Sequence, residues 1–102
     1  MEIEVTDVPE QNRYEARSGD GALAGYSAYE KTPTMVVFTH TEVDSAFEGK
    51  GVGSALAREA LGHARSLGLR VLPLCPFMRS YMTKHPEYAD LEYRQRPTTA
   101  KD

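Results

Sequence analysis

The sequence of 102 residues predicts an α+β domain of the α/β type, in which an antiparallel β-meander precedes a β-α-β-α half. Three observations support this fold class. Alternating and β-branched residues, separated by short turn segments, fill most of the first 43 positions. Apolar residues then recur every three or four positions from 51 to 67, which indicates an amphipathic helix. A short apolar strand follows, and a strand-helix-strand order implies a parallel crossover.

The predicted elements follow in a simple order. The meander has strands at 2–5, 12–17, 22–31 and 35–43, with turns at 7–10, 18–21 and 31–34. The helix at 51–67 ends at Gly68, a strand covers 70–74, and Pro76 begins a second helix that runs to 84. One more helical turn is expected at 86–91. We expect a single domain at 1–93 and a polar, flexible tail at 94–102.

Composition and charge narrow the function classes. The chain is 40% hydrophobic and 26% charged, which is typical of a soluble globular protein. It lacks an apolar run of about 20 residues and a signal-peptide core, and its one cysteine excludes an internal disulfide, so we expect a cytoplasmic protein away from membranes. Residues 1–47 carry a net charge of −6 and residues 48–85 a net charge of +4. A basic segment within an acidic protein suits a small anionic ligand better than nucleic acid.

Three alternating glycines, at positions 49, 51 and 53, stand directly before the first helix. Alternating glycines allow a tight turn whose backbone approaches a ligand closely, and a helix N-terminus adds free N–H donors and a partial positive charge. This pattern predicts a pyrophosphate-binding turn, with an ordinary helix-capping turn as the alternative. The Walker pattern is absent, and the Rossmann pattern fails because Ser54 stands where a glycine is required.

The element order and the stretch EGKGVG at 48–53 resemble the GNAT acetyltransferase superfamily, whose acyl-CoA motif reads Q/R-x-x-G-x-G/A. Gly51 and Gly53 match the motif, whereas Glu48 replaces its glutamine or arginine. Together with the stretches HTEV at 40–43, PLCPF at 73–77 and KHPEY at 84–88, the resemblance is to a short single-domain branch and covers about residues 12–93. Compared with full-length members, this chain lacks the helices that usually lie between the first two strands. It also lacks the last strands, which normally wall the acceptor site.

The resemblance implies acetyl-CoA as co-substrate, an amine as acceptor, and pantetheine lying along the strand at 35–43. The cofactor-binding residues that it implies are Thr41, Val43, Glu48, Gly49, Lys50, Gly51, Val52, Gly53, Ser54, Tyr81 and Lys84. For Tyr81, which the superfamily would place near the cofactor sulfur, core packing is the alternative. For Lys84, which would reach a CoA phosphate, the alternative is a solvated lysine at a helix end.

Three residues are candidates for the chemistry of acetyl transfer, which must deprotonate the amine and stabilise the departing thiolate. Glu42 and His40 lie on one face of a strand and are candidate bases; an exposed glutamate and a satisfied histidine are the alternatives. Cys75 precedes a helix N-terminus, where a thiolate is favoured. It is a candidate acyl carrier, or an acid near the CoA sulfur, and otherwise a small buried residue.

The sequence therefore predicts an acetyl-CoA-dependent N-acetyltransferase. The alternative is a catalytically silent module that binds acyl-CoA or another protein. We expect no bound metal, because the histidine and cysteine spacings match no metal site. The acceptor amine is not identified, although the acidic first half favours a cationic one. The protein is expected to be a monomer or a homodimer.

Overall fold

A computed structural model describes residues 2–93 and has one five-stranded sheet in the order β1-β2-β3-β4-β5. The first four strands pair antiparallel, and β5 pairs parallel with β4. The elements are β1 (Ile3–Val8), β2 (Arg13–Ser18), β3 (Leu23–Lys31), β4 (Met35–Val43), α1 (Val52–Ser66), β5 (Arg70–Pro73) and α2 (Pro76–Lys84), with 3-10 helices at Pro9–Gln11, Ser45–Phe47 and Pro86–Leu91. The predicted fold class is confirmed.

The first strand is longer than predicted. The expected turn at 7–10 is wrong in its first half, because Asp7 pairs with Tyr14 and Val8 with Arg13. The reversal begins only at Pro9, and Asn12 completes it with a left-handed φ of 54°. A side-chain contact holds Asp7 in the sheet, since its carboxylate accepts a 2.6 Å hydrogen bond from the Tyr29 hydroxyl. The predicted tail at 94–102 lies outside the described residues.

Both α-helices pack on the same face of the sheet. Along α1 the apolar positions recur at helical spacing, and four of them are alanines, which let the helix approach the strands closely. Met78, Tyr81 and Met82 of α2 belong to the same buried cluster as Leu56 of α1 and Phe38 of β4. Three hydrogen bonds from the Arg65 guanidinium tie α1 to the segment after α2, two to the Asp90 carboxylate and one to the backbone carbonyl of Glu87.

The other face of the sheet is polar. Glu15 on this face receives hydrogen bonds from the guanidinium groups of Arg13 and Arg17. Tyr26 pairs with both Glu15 and Glu42, which places all three on this face. The link from β1 to β2 is a single 3-10 turn, so the expected lack of helices between the first two strands is confirmed. Within residues 2–93, no helix is long and apolar enough to cross a membrane.

Candidate functional site

The two parallel strands separate at Phe38. The paired residues run from Met35 with Arg70 to Phe38 with Pro73. The Phe38 carbonyl then accepts hydrogen bonds from the N–H groups of Leu74, at 3.0 Å, and Cys75, at 2.9 Å, after which the chain turns into α2. Residues 39–43 of β4 continue beside β3 alone. A slot therefore opens along the second half of β4, with strand backbone on one side and the start of α2 on the other.

A bulge in β4 lies where the slot begins. Tyr29 of β3 pairs with Phe38, but Ala28 pairs with His40, so Thr39 is the extra residue. An extra residue bends its strand and shifts the side chains that follow onto the other face. The bulge therefore contributes to the separation of β4 from β5, and it decides which residues of β4 point towards the helices.

The glycine turn exposes backbone donors beside this slot. Gly49 and Gly51 have φ angles of 78° and 80°, the left-handed region that favours glycine. Gly51 is the N-cap of α1, and its carbonyl accepts the first helical hydrogen bond from the N–H of Ala55. The N–H groups of Val52, Gly53 and Ser54 come before that bond, so they have no acceptor within the helix. With no side-chain cap and no acidic residue in the first turn, this helix end suits an anion.

The third glycine of the turn has a different role. Gly53 is helical, and a Cβ atom there would lie 2.7 Å from Cζ of Phe77 at the start of α2. A glycine in β3 makes a similar contact, because a Cβ at Gly25 would lie 2.7 Å from the Glu42 carbonyl oxygen and 3.1 Å from Cγ1 of Val52. Close packing at these two glycines fixes the N-terminus of α1 against β3, β4 and α2.

Cys75 and Thr41 meet at the inner end of the slot. The Cys75 thiol is 2% exposed and donates to the Thr41 hydroxyl at 3.3 Å. Thr41 also shares a 2.9 Å hydrogen bond with the hydroxyl of Ser27, a fully buried residue of β3. Ser27 carries no signal in the sequence, since only the register of β3 against β4 brings it to Thr41. These three side chains form a chain of hydrogen bonds that begins at the N-cap of α2.

His40 and Glu42 form a second, solvent-exposed group. Their side chains are 58% and 61% exposed, and His40 Nε2 lies 3.0 Å from Glu42 Oε1, so the prediction that they share a face is confirmed. The Tyr26 hydroxyl donates to the same carboxylate oxygen at 3.4 Å. The hydrogen bond from His40 lowers the pKa of Glu42. An ionised carboxylate only accepts, so Nε2 carries the proton, and Nδ1 of neutral His40 is left as a potential proton acceptor.

The two groups lie on opposite faces of β4. Gly25 of β3 adjoins Val52 of α1, so it faces the helices. Ser27 lies two residues further along the same strand and therefore shares that face, as does its partner Thr41. His40 and Glu42 alternate with Thr41 and face the open side of the sheet. The structure thus brings Cys75 to Thr41, but it does not bring Cys75 to the candidate bases.

A family model described as GCN5-related N-acetyl-transferase matches residues 13–91. The chain belongs to this family. The predicted superfamily is therefore confirmed, and with it the enzyme class, acetyltransferase, and the family's use of acetyl-CoA as co-substrate. A comparison with curated proteins gives no significant match.

Solved structures share the fold of this chain. A GCN5-like N-acetyltransferase candidate from Staphylococcus aureus aligns with a TM-score of 0.67 at 20% identity, over 97% of this chain and 96% of its own. A candidate phosphinothricin N-acetyltransferase aligns at 0.56 and 27% identity, over 72% and 50%. Ard1 from Thermoplasma volcanium aligns at 0.55 and 24% identity, over 63% and 44%. This chain spans half or less of the length of the last two.

The remaining predicted residues of this GCN5-related chain lie around the slot and along α2. Glu48, Lys50 and Ser54 are exposed in and beside the glycine turn, and Val43 ends β4 partly buried. Tyr81 is buried in α2, with its ring stacked on His85 at 4.0 Å, and burial raises the pKa of its hydroxyl. Lys84 is exposed at the last position of α2, about 12 Å along the axis from the first. Among residues 2–93, no three acidic, histidine or cysteine side chains are grouped as a metal site.

Proposed function

We propose that this protein is an acetyl-CoA-dependent N-acetyltransferase that binds the pyrophosphate of CoA with residues 48–54 and the N-terminus of α1. The observation that carries the proposal is the separation of β4 from β5 at Phe38, directly beside a helix N-terminus without a side-chain cap. The slot offers unpaired strand backbone to an extended pantetheine arm, and the helix end offers N–H donors to phosphate.

The pantetheine arm of the cofactor then extends from the turn into the slot. In this arrangement the backbone of Gly49, Gly51 and Gly53 approaches the phosphates, Lys50 adds positive charge, and Thr41 and Val43 line the pantetheine arm. Glu48 adds no positive charge where the superfamily has glutamine or arginine, so the backbone donors contribute most of the binding. Ser54 and Val52 add helix N–H groups. Lys84 and Tyr81 are further candidates along α2, each tested by its own substitution.

In the direct route, the acceptor nitrogen attacks the carbonyl carbon of the thioester, and the C–S bond then breaks. Before the attack, His40 takes a proton from the acceptor ammonium through Nδ1, while Glu42 orients the ring through Nε2. The nitrogen loses its second proton as the C–S bond breaks. The departing CoA sulfur takes a proton at the end of the slot where Cys75 donates to Thr41. The products are the N-acetylated amine and CoA.

The second route passes through Cys75. Its thiolate attacks the thioester, the acetyl group moves to Sγ with release of CoA, and the amine then attacks the acetylated cysteine. Burial of the thiol and the position of His40 and Glu42 on the other strand face favour the direct route. A catalytically silent module is the alternative function. Within residues 2–93, no element covers the sheet face that carries His40 and Glu42, so no closed acceptor pocket forms there.

An assay of CoA thiol release tests the proposal. The acceptors are a polyamine, a small metabolite amine and a lysine peptide, and the variants are His40→Ala and Glu42→Gln. Glu30→Gln is the matched control, since Glu30 is an exposed glutamate of β3 on the same face as Glu42. We expect at least one acceptor to release thiol, with a loss of about a hundredfold in both site variants and none in the control. Tight CoA binding without release from any acceptor would favour the silent module.

A further inference from the structure

Phe77 is an exposed aromatic side chain at the edge of the glycine turn. It is the second residue of α2, it remains 38% exposed, and its ring tip touches the position that a Cβ atom of Gly53 would occupy. Leaving part of a large apolar ring in water forgoes the stabilisation that burial would give. The next residue, Met78, is fully buried, so the core at this turn of α2 is filled without the Phe77 ring.

A column of aromatic rings holds Phe77 in place. Phe77 stacks on Tyr81 with centroids 6.4 Å apart and planes at 28°, and Tyr81 stacks on His85 with centroids 4.0 Å apart. Tyr88 packs against Tyr81 from the following segment. Gly53 and Tyr81 therefore support the Phe77 ring on two sides, which leaves an exposed and positioned ring surface next to the N-terminus of α1.

This inference rests on the proposed function. A pyrophosphate at the N-terminus of α1 carries two arms. The pantetheine arm enters the slot towards Thr41 and Cys75, so the adenosine arm must leave the turn away from that arm. Phe77 adjoins Gly53 of the turn and offers a flat, partly exposed ring there. We propose that the Phe77 ring stacks on the adenine of CoA and so selects CoA over phosphopantetheine thioesters that lack the nucleoside.

Charge on α1 suits the same arm. Burial raises the pKa of Tyr81, and the positive charge of Arg58 on α1 opposes that rise, so a cation lies near the aromatic column. CoA differs from phosphopantetheine in carrying the second phosphate of the pyrophosphate, the base and a ribose phosphate. A guanidinium near the stacked base provides the type of partner that this phosphate requires.

Calorimetric titration with CoA and with 4′-phosphopantetheine tests the inference. Phe77→Leu keeps an apolar side chain without a flat ring, Phe77→Tyr keeps the ring, and thermal unfolding confirms that both variants fold. Because base–aromatic stacking is worth about 1–3 kcal/mol, we expect Phe77→Leu to weaken CoA binding about tenfold. Phe77→Tyr should bind CoA nearly as the wild type does, and neither variant should change the binding of phosphopantetheine.

Two results would overturn the inference while the proposed function stands. In one, Phe77→Leu binds CoA as tightly as the wild type does. In the other, the variant loses the same factor for both ligands, which would place the ring against the pantetheine arm. A wild-type protein that binds neither ligand would instead remove the proposed function, and this inference with it.

Discussion

The sulfur of Cys75 lies 3.3 Å from Oγ1 of Thr41, and this contact joins the first residue before α2 to the strand beside the slot. The contact forms where β5 has already ended, and the Phe38 carbonyl accepts from the N–H of Cys75. The thiol therefore sits at the closed end of the slot, which is the position expected for a group that meets the sulfur of CoA.

Substitution of Cys75 separates its two candidate roles. If Cys75 supplies a proton to the departing CoA, Cys75→Ala should lower kcat by about tenfold or more, and Cys75→Ser should retain more activity because its hydroxyl still bonds to Thr41. Intact-protein mass spectrometry after incubation with acetyl-CoA alone should then show no acetylated enzyme. An acetyl group on Cys75 that transfers to an added amine would contradict the direct route.

The pH dependence of the rate tests the roles of His40 and Glu42. The hydrogen bond from His40 holds the pKa of Glu42 below its ordinary value, so this carboxylate stays ionised at neutral pH and keeps Nε2 protonated. We expect His40→Gln to remove the loss of activity on the acidic side of the kcat/KM profile. Glu42→Gln should lower the rate and keep that acidic limb. A profile in which Glu42→Gln alone removes the limb would make Glu42 the base.

A glycine pair tests the packing that positions α1. A methyl group at Gly25 would meet the Glu42 carbonyl oxygen at 2.7 Å, and that backbone atom cannot turn aside. We therefore expect Gly25→Ala to lower the free energy of unfolding by about 1–3 kcal/mol. Gly62→Ala is the control, because its Cβ meets nothing within 4 Å in α1, and it should raise the free energy by up to about 1 kcal/mol. Urea unfolding measures the free energy of unfolding of both variants. Equal changes in Gly25→Ala and Gly62→Ala would contradict close packing at Gly25.

Arg13 and Arg17 both donate hydrogen bonds to Glu15, so we expect the free energy of unfolding to fall in acid. The hydrogen bond from Arg13 is the largest cause that lowers the pKa of Glu15, and Arg17 adds to it. A lowered folded pKa contributes stability above the ordinary value of 4.5, and this contribution is lost as the pH falls through the folded value. Glu15→Gln should cost about 1–2 kcal/mol at neutral pH, and less in acid. Glu30→Gln should show neither effect in the same unfolding series.

Local sequence patterns predicted the elements that carry the site. The β-branched run of β4 (Met35–Val43), the apolar period of α1 and the proline at the start of α2 each act within a few residues, so they can be read from the sequence. The predicted pairing of His40 with Glu42 on one face needed only strand alternation. The glycines predicted a pyrophosphate-binding turn with an ordinary cap as the alternative, and the resemblance added the expectation that the ligand is CoA.

The remaining contacts depend on register and on long-range packing. The bulge at Thr39 decides that Ser27 meets Thr41 and that Tyr26 meets Glu42, yet the run of residues around Thr39 resembles an unbroken strand. The contact of Phe77 with Gly53 joins two helices, and neither local pattern contains it. For the same reason, the separate roles of Gly51, in backbone conformation, and of Gly53, in packing, required the three-dimensional structure.

Calorimetric titration of the wild-type protein and Gly51→Val with CoA tests the central claim most directly. ATP and NAD are the ligand controls, and Gly62→Ala is the protein control. Gly51 has a φ of 80°, which a β-branched residue rarely adopts, so the substitution should distort the turn that presents the N–H donors. We predict that the wild type and Gly62→Ala bind CoA more tightly than ATP or NAD. A folded Gly51→Val should lose this preference for CoA. A folded wild-type protein without affinity for CoA would contradict the account.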